Sequence, residues 1–134
     1  MNKLTDGITT FLTFPGNAEE AVKFYLDVFR DSELVSLDRF EEGMQGTPGK
    51  VLTAAFRING TMLLAMDMDE KYAPTFNWAM SLYTEFQDES EFDRVFAELS
   101  RDGNVLMGPE PVLDIRKATW VTDRFKITWQ LIFR

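Results

Sequence analysis

The spacing of apolar residues changes along this chain between two periods, which predict strands and helices in a definite order. Residues 8–14 (ITTFLTF) are apolar and β-branched, as is typical of a strand, and a Pro-Gly-Asn sequence follows them. Over residues 18–29 the apolar positions recur at helical spacing. Asn17 with Glu20 three residues later resembles a capping box. We therefore predict a strand followed by a helix that begins at about residue 18.

The same arrangement returns in the second half of the chain. Residues 79–85 (AMSLYTE) predict a strand, Asp88 predicts a helix cap, and Asp102-Gly103 marks the end of a second amphipathic helix. The two predicted strands lie 71 residues apart, and so do Asn17 and Asp88. An offset of about half the chain indicates an internal duplication, and repeats outweigh local signals when a fold is predicted.

Three more strands follow each helix. They are predicted at residues 32–40, 50–58 and 61–68 in the first half, and at 104–108, 117–122 and 126–133 in the second half. Asn59-Gly60 predicts a two-residue hairpin turn, while residues 43–49 and 107–111 are expected to be loops. The prediction is an α+β fold in which a βαβββ module occurs twice. We expect one domain over residues 1–134, with modules at about 1–70 and 71–134.

A tandem βαβββ repeat of this length resembles the vicinal-oxygen-chelate superfamily, which includes glyoxalase I, extradiol dioxygenases and the bleomycin and fosfomycin resistance proteins. Residues 11–33 (FLTFPGNAEEAVKFYLDVFRDSE), 49–67 and 123–131 resemble its PhnB-like branch. Some members of that branch carry the label of a 3-demethylubiquinone methyltransferase domain. The resemblance implies curved mixed sheets around a cleft, with the helices outside, and a homodimer.

In metal-dependent relatives each module supplies one ligand from its first strand and one from its last strand. The equivalent positions here are Thr10 and Ser81 on the first strands, and Met66 (or Ala65, if the register differs by one residue) and Gln130 on the last strands. Transition metals in such sites require imidazole and carboxylate groups, and only Gln130 is a usual ligand type. The resemblance therefore predicts no metal site and no resident cofactor.

Glycine positions exclude two further kinds of site. Residues 43–49 (GMQGTPG) join two strands rather than a strand and a helix, so we interpret them as an inter-strand loop, one able to cover the cleft, and not as a phosphate-binding loop. No strand–GxGxG–helix segment for S-adenosylmethionine occurs, so the methyltransferase activity is not adopted. Lys126 stands where the family has Gly before the last strand, and we expect that turn to differ.

The expected cleft combines aromatic rings with a few polar groups, a combination typical of a small-molecule pocket. We predict that the cleft is lined by Thr10, Phe40, Phe56, Met66, Trp78, Ser81, Tyr83, Trp120 and Gln130. Core packing is the alternative for Phe56 and Trp120. Glu85 shares a strand face with Ser81 and Tyr83, which leaves open either acid–base chemistry or a solvated charge at a strand end.

The amino-acid composition excludes several classes of function. The 134 residues contain no His and no Cys, which excludes Ser–His and Cys–His nucleophile systems and disulfides. A formal net charge of −8 makes nucleic-acid binding unfavourable and would favour a cationic ligand. No apolar run is long enough to span a membrane, and we expect a cytoplasmic protein. Our first hypothesis is a metal-free protein that binds a small ligand; the alternatives are an enzyme with an unusual site and an interaction protein whose cleft is filled.

Overall fold

Each half of the chain forms a four-stranded sheet with one helix packed on one face. The structure is a computed structural model and describes residues 3–134. The chain divides into two compact units, Met1–Pro74 and Thr75–Arg134. Both units contain the predicted βαβββ order of elements, and the prediction of an α+β fold built from two mixed sheets is confirmed.

The first unit pairs its first strand with its last strand. Its elements are β1 (Phe11–Phe14), α1 (Ala18–Val28), β2 (Ser32–Arg39), β3 (Val51–Ile58) and β4 (Thr61–Asp67). The strand order is β1-β4-β3-β2, with β1 parallel to β4 and the other pairs antiparallel. Asn59 and Gly60 both have positive φ, as a two-residue turn between β3 and β4 requires, so the predicted hairpin is confirmed.

The core of the first unit lies between α1 and one face of its sheet. Tyr25 of α1 is stacked on Phe56 of β3, with ring centroids 6.4 Å apart and planes 9° apart. Both side chains are completely buried. Because side chains alternate across a strand, this contact identifies the helix-facing side of the sheet and leaves the intervening residues on its open face.

The second unit repeats this topology. Its elements are β5 (Leu82–Phe86), α2 (Glu89–Ser100), β6 (Asn104–Val112), β7 (Ile115–Thr122) and β8 (Thr128–Phe133). The strand order is β5-β8-β7-β6, again with one parallel pair between the first and last strands. Phe86 meets Phe92 of α2 edge to face at 6.0 Å, which defines the helix-facing side of this sheet.

Several element boundaries differ from the predictions. Residues 107–111 were predicted as a loop, which is wrong, because β6 continues through them as far as Val112. The strand accommodates Gly108 at φ 74° by breaking its register with β7. A Cβ atom at Gly108 would approach the Ala118 carbonyl oxygen to 2.2 Å, so only glycine fits this crossing.

The two helix starts are capped in different ways. Asp88 accepts a hydrogen bond from the Ser90 backbone N–H, which confirms the predicted cap of α2. Asn17 precedes α1 but makes no side-chain capping bond, so that part of the capping-box prediction is wrong. Asp67, from the end of β4, instead accepts a hydrogen bond from the Ala18 N–H at 2.8 Å. A carboxylate distant in sequence therefore satisfies this helix start.

Candidate functional site on the open face of the second sheet

The open face of the second sheet carries a row of polar and aromatic side chains across three adjacent strands. Gln130 of β8 lies directly opposite Tyr83 of β5 on one side and Trp120 of β7 on the other. Alternation along the strands places all three on the side away from α2, because Phe86 and Phe133 occupy the helix-facing side. The register of β8 therefore places Gln130 on the face of the sheet away from α2.

Gln130 is held in place by Ser81, the residue that precedes β5. Its Nε2 donates a hydrogen bond to Ser81 Oγ at 2.8 Å. Both side chains remain able to make further hydrogen bonds, since the amide oxygen of Gln130 still has its lone pairs and the Ser81 hydroxyl still has a proton to donate. The pair thus presents both a donor and an acceptor to any molecule on this face.

Two tryptophans adjoin this polar pair. The rings of Trp78 and Trp120 meet edge to face, with centroids 6.4 Å apart. Trp78 is 65% exposed although it is a large aromatic residue, and Tyr83 is 52% exposed. Exposed rings beside oriented polar groups are a common feature of ligand sites. We call Trp78, Ser81, Tyr83, Trp120 and Gln130 the aromatic row.

A carboxylate borders the aromatic row. Tyr83 Oη donates to Glu85 Oε2 at 3.1 Å, and Arg134 Nε donates to Glu85 Oε1 at 2.7 Å. The hydrogen bond from Arg134 lowers the pKa of Glu85, with a smaller contribution from Tyr83, and Glu85 in turn raises the pKa of Arg134. A carboxylate stabilised in its ionised form is a weaker proton acceptor.

The four predicted site residues of the first unit lie in different surroundings. Phe56 faces α1 in the core, in agreement with the core-packing alternative. Phe40 lies at the base of the loop between β2 and β3, where its ring fills the space that a Cβ atom at Gly46 would occupy. Met66 lies on the open face, opposite Thr13 of β1. Thr10 precedes β1, and its carbonyl oxygen accepts a hydrogen bond from the Leu64 N–H.

The positions equivalent to Ser81 and Gln130 in the first unit are not those that the sequence indicated. Three residues separate Phe14, the last residue of β1, from α1, whereas only two residues separate Phe86, the last residue of β5, from α2. The first strands are therefore offset by 72 residues rather than 71. Counted from these strand ends, Thr9 and Leu64 take the places assigned above to Thr10 and Met66. Thr9 and Thr10 are one residue apart and therefore lie on opposite faces of the chain, whereas Leu64 and Met66 are two residues apart and share the open face of β4.

The residues present do not fit a metal ion. The four equivalent positions hold two hydroxyls, one amide and one aliphatic side chain, none of which is a strong ligand for a transition metal. Within residues 3–134, no three His, Cys, Asp or Glu side chains are grouped so that they could hold a metal ion. The fold is therefore present without the ligand set that metal-dependent relatives use.

The sequence interpretation did not predict the structural roles of two buried aspartates, Asp67 and Asp123. Asp67 is described above with the start of α1. Asp123 accepts hydrogen bonds from the backbone N–H groups of Phe125 and Ile127 and, at 2.9 Å, from Trp129 Nε1. It thereby fixes the turn that precedes β8 and hence the register of Gln130. A possible signal was an Asp between two apolar strands at a short turn, since Asp commonly bonds to backbone N–H groups two residues later.

Comparison with known proteins agrees with the fold and identifies the family. At 11% identity the structure matches a glyoxylase/bleomycin resistance protein/dioxygenase domain from Frankia sp. EAN1pec with a TM-score of 0.66, over 96% of this chain and 92% of that one. The fosfomycin resistance protein FosX from Listeria monocytogenes matches at 12% identity and a TM-score of 0.64, over 96% and 91%. These likenesses define the class by fold, which is the glyoxalase/bleomycin resistance fold.

Within that class the match to one family is close. The family model described as 3-demethylubiquinone-9 3-methyltransferase matches residues 6–132, and the chain belongs to that PhnB-like family. A putative 3-demethylubiquinone-9 3-methyltransferase, PhnB protein, from Bacillus cereus is 40% identical over 96% of this chain and 100% of that one, with a TM-score of 0.86. Protein PA1353 from Pseudomonas aeruginosa is 23% identical with a TM-score of 0.84, over 97% and 98%. No curated protein matches the chain significantly.

The family description implies S-adenosylmethionine, and the chain does not fit that cofactor. Such a cofactor is usually bound by a glycine-rich turn from a strand of a parallel sheet into a helix. Here the connection from β1 to α1 is Pro15-Gly16-Asn17 and that from β5 to α2 is Gln87-Asp88. Both lead from mixed four-stranded sheets. We therefore assign no methyl transfer to this chain.

No helix among the described residues is both long and apolar enough to cross a lipid bilayer.

Proposed function

We propose that this protein binds a small, partly aromatic molecule on the aromatic row without a metal ion. The observation that carries the proposal is the alignment of Tyr83, Gln130 and Trp120 on adjacent strands. Flat rings can stack on a planar ligand, and the Gln130–Ser81 pair can fix its orientation by hydrogen bonds. Family membership supports the fold on which such a site is built, and the ligand itself is our inference.

Exposure of the rings favours this proposal over the hypothesis of a filled site. Trp78 and Tyr83 have more than half of their surfaces uncovered by the rest of the chain. If side chains of the same chain filled the site, these rings would be buried, as Phe92 and Trp129 are in the core of this unit. An open aromatic surface therefore supports a ligand site.

The electrostatics of Glu85 favour binding over the enzyme hypothesis. General bases in enzymes are tuned so that their pKa lies near the working pH. Arg134 lowers the pKa of Glu85, which moves it away from that range. We therefore assign Glu85 to the orientation of Tyr83 through their hydrogen bond rather than to proton transfer.

The test is a binding assay with flat aromatic compounds of differing charge. Quinoline, N-methylquinolinium and quinoline carboxylate have the same ring system, so their affinities, measured by calorimetry, separate stacking from charge. We expect at least one of them to bind, and we expect Trp78→Ala to weaken that binding about tenfold, since an aromatic contact contributes about 1.4 kcal/mol. Gln130→Ala is expected to weaken only ligands that carry hydrogen-bonding groups.

Tyr72→Ala is the matched control, because Tyr72 is 75% exposed but lies in the other unit. It should leave the affinity unchanged. Equal affinity of the Trp78→Ala, Gln130→Ala and wild-type proteins for every compound that binds would contradict the proposal. A preference for N-methylquinolinium would assign to this site the cationic ligand that the net charge of −8 favours.

The expectations about oligomeric state, cellular location and partners remain predictions. They are a homodimer, a cytoplasmic location, and no binding to nucleic acid or membranes.

A further inference from the structure

One side of the aromatic row is bordered by small polar side chains across the second sheet. Thr128 of β8 lies opposite Thr122 of β7, and Thr122 lies opposite Asn104 of β6. Ser81, which belongs to the aromatic row, precedes Leu82 and therefore adjoins Thr128 across the parallel pair of β5 and β8. We call Ser81, Thr128, Thr122 and Asn104 the polar edge.

The polar edge lies on the same open face as the aromatic row. Thr122 is two residues from Trp120 on β7, and Thr128 is two residues from Gln130 on β8, so the members of each pair point to the same side of the sheet. The hydroxyl oxygens of Thr122 and Thr128 are 3.1 Å apart, as neighbours on one face can be. Because a step of two residues along a strand is about 7 Å, a fused bicyclic ring stacked on Trp120 brings its edge to Thr122.

The polar edge offers hydrogen-bond donors and acceptors without a formal charge. One proton of the Thr122–Thr128 hydroxyl pair is used within the pair, which leaves the other proton free to be donated to a ligand. The Ser81 hydroxyl, which accepts from Gln130 Nε2, keeps its own proton as well. Asn104 is exposed and adds an amide, which both donates and accepts.

The other side of the aromatic row has a different chemistry. It carries two buried apolar residues, Ile132 and Ala118, between the carboxylates of Glu85 and Glu110. Ionised carboxylates accept hydrogen bonds but do not donate them. Of these two sides, only the polar edge can match a neutral group that both donates and accepts, and this difference determines which way round a ligand lies.

We propose that the ligand of the aromatic row is a neutral aromatic molecule with a hydrogen-bond donor and an acceptor side by side on one ring edge, as in a lactam, and that this edge faces Ser81, Thr122 and Asn104. The inference rests on the proposed function, since it takes the aromatic row as the binding site. A charged group at the polar edge would lose hydration without gaining a counter-ion from it. A lactam instead exchanges its hydrogen bonds with water for bonds to the hydroxyls and the amide, while its ring keeps the contacts with Trp78 and Trp120.

The test compares quinoline with 2-quinolone, which has the same ring system and carries an adjacent N–H and C=O on one edge. In calorimetry we expect 2-quinolone to bind the wild-type protein about fivefold more tightly than quinoline, as a net gain of one or two hydrogen bonds implies. Thr122→Val removes the hydroxyl but keeps the β-branched shape, so it should abolish most of this difference and change the affinity for quinoline by less than about twofold. Thr84→Val is the matched control and should leave the difference unchanged, because Thr84 lies opposite Leu131 on the helix-facing side of the same sheet.

Circular dichroism spectra establish that the variants are folded. If Thr122→Val does not fold, Asn104→Ala on the exposed edge strand replaces it and should reduce the difference about twofold or more. Quinoline that binds and is weakened by Trp78→Ala, together with 2-quinolone that binds no more tightly, would overturn this inference and leave the proposed function in place. So would a difference that Thr122→Val does not reduce, or tighter binding of quinoline carboxylate than of 2-quinolone. Binding of none of these compounds would overturn the proposed function and this inference with it.

Discussion

At the scale of the single residue, Lys126 has a backbone conformation that is unusual for a residue other than glycine. Its φ of 76° lies in the left-handed region, which glycine adopts without strain and lysine does not. The Lys126 N–H donates to the Asp123 carbonyl oxygen at 2.9 Å, so the turn before β8 is closed by a hydrogen bond. Lys126 thus adopts a backbone conformation that suits glycine, and Asp123 and its neighbours hold it there.

Replacing Lys126 by Gly should therefore stabilise the protein. Left-handed backbone costs a non-glycine residue about 1–2 kcal/mol, and glycine loses about 0.5–1 kcal/mol more chain entropy on folding, so we expect a net gain of about 0.5–1 kcal/mol. Urea denaturation followed by circular dichroism measures this difference. The control is Asn59→Gly at φ 48°, where a smaller gain is expected because asparagine tolerates this region. A destabilised Lys126→Gly protein would mean that the lysine side chain itself stabilises the turn.

The sequence predicted the individual residues of the aromatic row better than it predicted their counterparts in the first unit. Ser81, Tyr83 and Gln130 share one face because alternation along a strand is a local property. Thr10 was placed by the offset of 71 residues between the modules, and the shorter connection before α2 makes the offset of the first strands 72. Met66 was placed by the expected register of the last strand of the first module, and it lies two residues beyond Leu64. Trp78 could not be placed next to Trp120 from the sequence, because it lies outside the strands and its position depends on tertiary packing.

At the scale of secondary-structure elements, Asp67 connects β4 to α1 and to β3 in the first unit. Its two carboxylate oxygens accept hydrogen bonds from the Ala18 N–H at 2.8 Å and from the Val51 N–H at 2.9 Å. The end of β4 is thereby tied to the start of α1 and to the start of β3. Asp67 is buried, so its removal would leave two backbone donors without partners in the core.

Asp67→Ala should lower the free energy of unfolding by about 3 kcal/mol, the sum expected for two unsatisfied buried donors. Thermal denaturation should then show a decrease of about 10 °C in Tm for a chain of this size. Asp38→Ala on the exposed face of β2 is the control and should change stability by less than about 0.5 kcal/mol. A small effect of Asp67→Ala would show that water replaces the carboxylate at the helix start.

A second connection between elements is electrostatic and depends on pH. Arg39 of β2 donates two hydrogen bonds to the carboxylate of Glu19 on α1, both at 2.7 Å. The hydrogen bond and the charge of Arg39 lower the pKa of Glu19 from 4.5 to about 2. Because the folded-state pKa is below the unfolded value, the stabilisation is present above about pH 4.5 and is lost as the pH falls towards 2.

We therefore expect the Tm of the wild-type protein to fall more steeply between pH 5 and pH 2 than that of Glu19→Gln. Glu20→Gln is the matched control, since Glu20 is the next residue on α1 and also lies in its first turn. The difference between wild type and Glu19→Gln should shrink in 1 M salt, because the pair is exposed and its attraction is screened. If the Tm of the wild-type and Glu19→Gln proteins fell equally between pH 5 and pH 2, protonation of Glu19 would not contribute to the loss of stability in acid.

At the scale of the whole molecule, the duplicated units raise the question of whether they unfold together. All three tryptophans, Trp78, Trp120 and Trp129, lie in the unit Thr75–Arg134. Tryptophan fluorescence therefore originates in that unit, while circular dichroism reports on both units. The chain thus contains a natural probe for one half of its structure.

The prediction of a single domain over residues 1–134 implies one unfolding transition. Fluorescence and circular dichroism should then give the same midpoint in urea. In Asp67→Ala, which alters only the first unit, the fluorescence midpoint should decrease together with the circular dichroism midpoint. If the fluorescence midpoint stays at its wild-type value, the two units unfold independently and the chain has two domains.

The parallel pairing of β1 with β4 also affects folding of the chain during its synthesis. β1 begins at Phe11, but its hydrogen-bonding neighbour Leu64 is synthesised about 50 residues later, which takes roughly 3–10 s at typical rates of translation. During that interval a short apolar strand is available to other chains and to chaperones. The same delay recurs for β5 and β8 in the second unit. Faster translation of the segments between these strands should therefore raise the yield of folded protein, and slower translation should increase aggregation.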